Sequence, residues 1–154
     1  MKGACKNPIG TFWCSARSDL FFEEKCEMIT VFYDDQCGLC RKEIAVYQNQ
    51  DKHGLFNWQR LSETTFDPNE QRFDLVQALE RLHVINHQGD VKIGVDAFIV
   101  IWNQLPYWKF LGFFASVAPV KWFLNLVYDQ FAKRRFKRLD HCQLALAEQM
   151  KKQT

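Results

Sequence analysis

The chain has 154 residues, 47% of them hydrophobic and 15% aromatic, with a formal net charge of +2. That length supports one domain with a single buried core. The near-balanced charge lacks the basic excess of a phosphate-binding domain and so excludes nucleic acid as an expected partner. Fourteen Phe and five Trp are many for a small soluble protein, which predicts that part of the apolar surface meets a partner or a membrane.

Met1 to Lys25 mixes Gly3, Pro8 and Gly10 with isolated aromatics and holds no sustained period. Residues 1–28 therefore read as an N-terminal extension, with Phe12-Trp13 and Leu20-Phe21-Phe22 as apolar straps. Met1 to Cys14 has a Lys and no continuous apolar run, so no cleaved secretory signal is expected. Six cysteines in such a chain point to a reducing cytoplasm rather than a disulfide scaffold. Cys5, Cys14 and Cys26 are then apolar fillers or free thiols.

Ile29 to Tyr33 is apolar, β-branched or aromatic and predicts a short buried strand; Asp34-Asp35-Gln36 is a polar turn, and from Leu39 the residues favour helix. Cys37 and Cys40 thus stand at the mouth of a helix, where unpaired backbone N–H groups and the positive end of the macrodipole favour a thiolate. The thiolate is the form that attacks disulfides. The two-residue spacer lets both sulfurs lie on one side of the first turn, with Cys37 attacking and Cys40 resolving. Arg41 and Lys42 favour the Cys37 thiolate while Asp34 and Asp35 oppose it. The balance predicts a Cys37 pKa modestly below the free-cysteine value and a pair that acts as a reductant more than a strong oxidant. A Cys-x-x-Cys is also half of a structural zinc site. His141-Cys142, distant in a polar tail, is the adjacent pair that could complete one. The strand, Cys-x-x-Cys, helix order favours redox chemistry, with a zinc-holding binding module as the rival class. No metal and no organic cofactor is expected.

Leu39 to Gln50 reads as a helix with Cys40, Ile44 and Tyr47 on one face, ended by Gly54 in a left-handed cap. Leu55 to Gln59 alternates as a second strand, and a right-handed crossover makes the two strands parallel. Ser62 to Gln71 is a polar connection and Phe73 to Arg81 a helical stretch. Leu82 to Ile85 and Val91 to Ile93 flank Asn86-His87-Gln88-Gly89-Asp90 as a hairpin. His83 enters that hairpin either as a half-buried strand residue or as a neighbour of the thiols that tunes their protonation. Gly94 to Phe98 opens an apolar helix for which Asp96 is the N-cap candidate.

Together these blocks resemble the DCC family of predicted thiol-disulfide oxidoreductases, named for an Asp-x-x-Cys-x-x-Cys motif that falls here on Asp34, Cys37 and Cys40, with Tyr33, Leu39 and Arg41 around it. Leu82-His83-Val84-Ile85 with Gly89, and Gly94-Val95-Asp96-Ala97-Phe98 with Trp102 and Leu105-Pro106, are similar to the family's later blocks. The resemblance covers about Thr30 to Arg138. It implies an α/β fold with a small thioredoxin-like sheet, residues 29–104 as the redox core, and exchange with a disulfide-containing protein or small-molecule thiol. It also implies a catalytic role for Asp34 beside the two cysteines. Many members have Gly where this chain has Asp35. By similarity to glutaredoxins, Gly94 to Asp96 is a substrate-binding corner, although Glu80 to His83 lacks the proline that thioredoxins carry there.

Residues 105–154 form an apolar and basic helical region packed on the core. Tyr107 to Val117 and Pro119 to Phe136 are its helical stretches, Pro119 sitting where a first-turn proline is tolerated. Lys109, Lys121 and Asn125 interrupt every window long enough to span a bilayer. Two readings remain: a layer covering the sheet, or a peripheral membrane element whose basic end, Lys133 to Arg138, leans on anionic lipid. Leu139 to Thr154 is a further helix around Leu144, Ala145 and Leu146.

Overall fold

The computed structural model describes residues 28–63 and 72–152. The apolar straps, Cys5, Cys14 and Cys26, and most of the Ser62 to Gln71 connection lie outside the described residues. In chain order the elements are β1 (Ile29–Tyr33), α1 (Gly38–Gln50), β2 (Phe56–Arg60), α2 (Leu75–Glu80), β3 (His83–Ile85), β4 (Val91–Ile93), α3 (Val95–Gln104), α4 (Lys109–Ser116), α5 (Ala118–Arg138) and α6 (Asp140–Lys152). The strands make one mixed sheet in the order β2-β1-β3-β4. β1 runs parallel to β2 and antiparallel to β3, and β3 is antiparallel to β4. The fold is α/β with a helical C-terminal part, as the sequence predicts.

Side-chain alternation along β1 divides the core in two. Ile29, Val31 and Tyr33 point to one face, where Ile44 and Tyr47 of α1 meet Ala97 and Ile101 of α3 and Leu105 just beyond it. Phe32 points to the other, packing with Phe73, Ala78 and Leu79 at α2 and with Cys142 of α6. The sheet therefore lies between α1 and α3 on one side and α2 and α6 on the other. Tryptophans fasten the first layer: Trp102 Nε1 donates to the Tyr47 hydroxyl at 3.0 Å, and Trp108 Nε1 donates to Gln50 Oε1 at 2.7 Å.

The predicted boundaries need three corrections. Asp51, not Gly54, caps α1; its carboxylate also accepts from the Leu55 and Phe56 amides at 2.8 and 3.2 Å, which ties the helix end to the start of β2. Gly54, at φ +61, turns the chain between them. At the start of α3 the N-cap is Gly94, with no side-chain cap; Asp96 stands inside the first turn. The C-terminal helices are not simply a cover for the sheet. α5 touches the domain along a narrow stripe in which Tyr128 and Ala132 succeed one another at helical spacing, the Tyr128 hydroxyl accepting from the Leu82 amide at 3.0 Å. It is α6, with Cys142 fully buried, that completes the second layer. α4 and α5 meet at a 98° bend, and among the described residues no single helix is long and apolar enough to cross a membrane.

Candidate active site around the Cys37–Cys40 pair

Strand β1 ends at Tyr33, and Asp34 makes the turn into α1. Its Oδ1 accepts from the Gln36 and Cys37 amides, both at 3.1 Å, so the carboxylate fixes the backbone that carries Cys37. Cys37 is the N-cap of α1, and its sulfur accepts from the Cys40 amide at 3.4 Å. The Cys40 thiol donates to the same sulfur at 2.8 Å. Helix start and two-residue spacer thus bring the two sulfurs together, and no disulfide joins them.

The charge governing this pair comes from α5, far away in sequence. Arg135 Nη1 donates to Cys40 Sγ at 2.9 Å and to Asp34 Oδ2 at 3.4 Å. Nη2 donates to the carbonyls of Leu79 and Glu80, the latter at 3.0 Å, at the negative end of α2. One guanidinium thus joins the end of β1, the start of α1 and the end of α2. Arg41 and Lys42, the cations expected to favour the thiolate, are exposed and are not among the groups that set it. His141 completes the shell, its Nε2 3.1 Å from both Asp34 oxygens, with the Cys142 thiol 4.0 Å from Oδ2. His141-Cys142, distant in sequence, lies against the motif, because α6 folds back over α2.

The two thiols are driven apart. Burial opposes ionisation of Cys37, but hydrogen bonds from the Cys40 thiol and amide, with the bond and charge of Arg135, outweigh it and hold Cys37 below its ordinary value. Burial pushes Cys40 up to about 12; the Arg135 charge opposes that rise, while donation to Cys37 and the Cys37 charge add to it. Access differs too. Cys37 lines a groove of about 790 Å³ between the α1 start and α5, whose walls include Leu39, Leu126, Phe131, Arg134 and Arg138. Cys40 instead borders a small cavity of about 40 Å³ between Tyr128 and Arg135.

The remaining candidates sit elsewhere or act otherwise. The Asp34 carboxylate accepts from two amides, Arg135 and the Cys142 thiol and faces His141, and neither sulfur of the pair is among these partners. His83 is buried on β3, its Nδ1 2.8 Å from the Arg81 carbonyl and its ring stacked on Phe73 at 4.4 Å. Burial lowers its pKa, so it is a neutral core residue, and neither of these contacts is a thiol. Gly94 is covered by α5, where a Cβ on it, at φ +60, would lie 3.0 Å from the Tyr128 ring, and the partly exposed Asp96 pairs with Lys121 of α5 at 2.5 Å. The corner predicted to bind substrate therefore lies against the protein's own helix α5.

The family profile for DCC1-like thiol-disulfide oxidoreductases matches residues 31–140. The chain belongs to this family. It is also 27% identical over 114 residues to an uncharacterized chloroplastic protein of Arabidopsis thaliana, a match covering 71% of this chain and 51% of the relative. The chain thus spans about half the length of that relative. No solved structure matches it. The DCC1-like match includes Arg135 and stops just short of His141 and Cys142.

Asp35 is turned away from the pair. Its carboxylate accepts from the Ser62 amide at 3.1 Å and hydroxyl at 2.6 Å, and these bonds hold its pKa down despite the burial that opposes them. The expectation that Asp35 disfavours the Cys37 thiolate therefore fails on geometry. Asp35→Gly is expected to leave the pH dependence of Cys37 alkylation unchanged, while loosening the chain after β2 at a cost of about 1 kcal/mol in a denaturant melt. A Cys37 midpoint that drops in Asp35→Gly would restore the original expectation.

Proposed function

We propose that this protein is a thiol-disulfide oxidoreductase of the protein-disulfide reductase type, with Cys37 as nucleophile and Cys40 as resolving thiol. The carrying observation is the pairing of an acidified thiol, buried in the wall of a groove, with a protonated one 2.8 Å away. The Cys37 thiolate attacks one sulfur of a substrate disulfide, forming a mixed disulfide and expelling the first substrate thiolate. Cys40, deprotonated, then attacks the Cys37 sulfur, expelling the second thiolate and leaving a Cys37–Cys40 disulfide. Two electrons pass to the substrate, and an external thiol donor restores the dithiol. Asp34 acts as a positioning residue: it sets the Cys37 amide and anchors Arg135.

A redox titration of the full chain in glutathione buffers tests this reading. Cys37 and Cys40 should oxidise together as one two-electron couple, and iodoacetamide labelling of Cys37 should have its midpoint below the free-cysteine value of about 8.5. A pair that stays reduced across the whole range, or labels only above that value, defeats the proposal.

A metal-holding role has one observation in its favour: ligand atoms of Asp34, His141 and Cys142 lie within 4.8 Å of one another. Three such donors suit a zinc site with an open position. Against it, the same carboxylate already pairs with Arg135, whose cation repels a second one. About one zinc per chain after purification under reducing conditions, lost in His141→Ala, would favour the metal.

A further inference from the structure

The exchange reaction leaves an exposed apolar surface unused. Around the 98° bend, α4 and the first half of α5 present large apolar side chains to solvent, among them Phe110 at 77%, Phe113 at 69% and Trp122 at 70% exposure. A free monomer rarely carries so wide an apolar patch. Further along α5 the surface changes character. Lys133, Arg134, Lys137 and Arg138 are exposed, and the one carboxylate of α4 and α5, Asp129, is taken by Arg81 at 3.1 Å. An apolar half followed by a basic end fits hydrocarbon and anionic headgroups in that order. A second copy of this chain would bring the same four cations to the contact, so self-association is disfavoured by charge.

We propose that α4 and the first half of α5 seat in an anionic lipid surface, with the basic end of α5 among the headgroups. The Cys37 groove runs from Leu126 and Phe131 to Arg134 and Arg138 and so straddles that border. The mouth of the groove then faces the headgroup layer. Resting on the exchange chemistry above, the favoured substrates are disulfides presented at a lipid surface rather than in free solution.

Flotation of the full chain with phosphatidylcholine vesicles, and with vesicles also containing phosphatidylglycerol, tests the seat. Binding is expected on the anionic vesicles, weakened about fivefold for each of Lys133→Gln and Lys137→Gln. Phe110→Asp/Phe113→Asp should abolish it; both side chains are exposed, so the fold, checked by the unchanged redox titration, should survive. No flotation of wild type, flotation that persists in the double Asp variant, or a patch found covered in a dimer by light scattering overturns the seat. The second arm compares reduction of a disulfide peptide tethered to anionic vesicles with the same peptide free. Wild type should favour the tethered peptide by about tenfold or more, and the double Asp variant should not distinguish them. Equal rates in wild type overturn the substrate inference. No reduction of either peptide, with flotation intact, refutes the exchange chemistry and not the seat.

Discussion

Cys37→Ser is expected to reduce disulfide exchange to the uncatalysed level, whereas Cys40→Ser should retain the first step and accumulate a mixed disulfide at Cys37. A hydroxyl at the N-cap can still accept from the Cys40 amide, so the helix start should persist; what disappears is the thiol that lines the groove. In Cys40→Ser the new hydroxyl can still donate to the Cys37 sulfur, and the residue-40 amide and Arg135 remain, so the Cys37 pKa should stay below the ordinary value. The resolving step depends on a change that the first step brings about. Once Cys37 is bound to substrate, its negative charge and its acceptance of the Cys40 proton both vanish, and with them two of the three influences that keep Cys40 protonated. Burial remains, and Arg135, still at 2.9 Å, opposes it. Mass spectrometry of each variant after incubation with a model disulfide checks the scheme. Full turnover by Cys37→Ser, or an adduct carried at Cys142 in Cys40→Ser, would move the nucleophile elsewhere.

How much of this was legible in the chain follows the range of the interactions. The strand, turn and helix around Cys37 are built by neighbours in sequence, and period and turn chemistry locate them within a residue or two. The parallel pairing of β2 followed from the crossover rule, and the hairpin from its turn. Arg135 and His141 reach Asp34 across 101 and 107 positions, and nothing local marks a cation in the run Lys133 to Arg138 as buried. A fainter signal was present: Tyr128, Ala132 and Arg135 recur at i, i+4 and i+7, one helical stripe in an otherwise exposed α5. Read as a stripe, Arg135 belongs with the face that packs and its basic neighbours with the face that does not. Asp35 and Asp96 misled for the opposite reason. Their local settings, beside a thiol and at a helix start, suggest roles that Ser62 and Lys121 take from them by tertiary contact.

Arg135→Met is expected to do the most damage short of removing a cysteine, and to do it to stability and reactivity together. The side chain is 12% exposed and Asp34 3%. Removing one partner of so buried a pair costs about 3–5 kcal/mol, because the other charge is left in a poor solvent. Asp34 keeps two backbone amides and His141, which places the cost near the lower end, about 3 kcal/mol, or a Tm lower by roughly 6–12 °C for a domain of this size. The thiols respond in the same direction. Cys37 loses a hydrogen bond and a cation that favour its charged form, and Cys40 loses the charge that opposes its burial, so both pKa values should rise. Cys37 is an acid whose folded pKa lies below its unfolded one. It adds stability above the ordinary thiol value and loses that contribution as pH falls through the folded value, so a melt taken below the folded value reports the ion pair alone. Alkylation reports the thiol: its midpoint should move up toward about 8.5 in Arg135→Met. Arg135→Lys separates charge from geometry. An ammonium restores one cation near Asp34 and Cys40 but cannot span both and the Leu79 and Glu80 carbonyls, so it should recover part of the pKa shift and little of the thermal stability. An Arg135→Met protein that melts and alkylates like wild type would show that α5 does not govern the pair, and the site would shrink to the helix start alone.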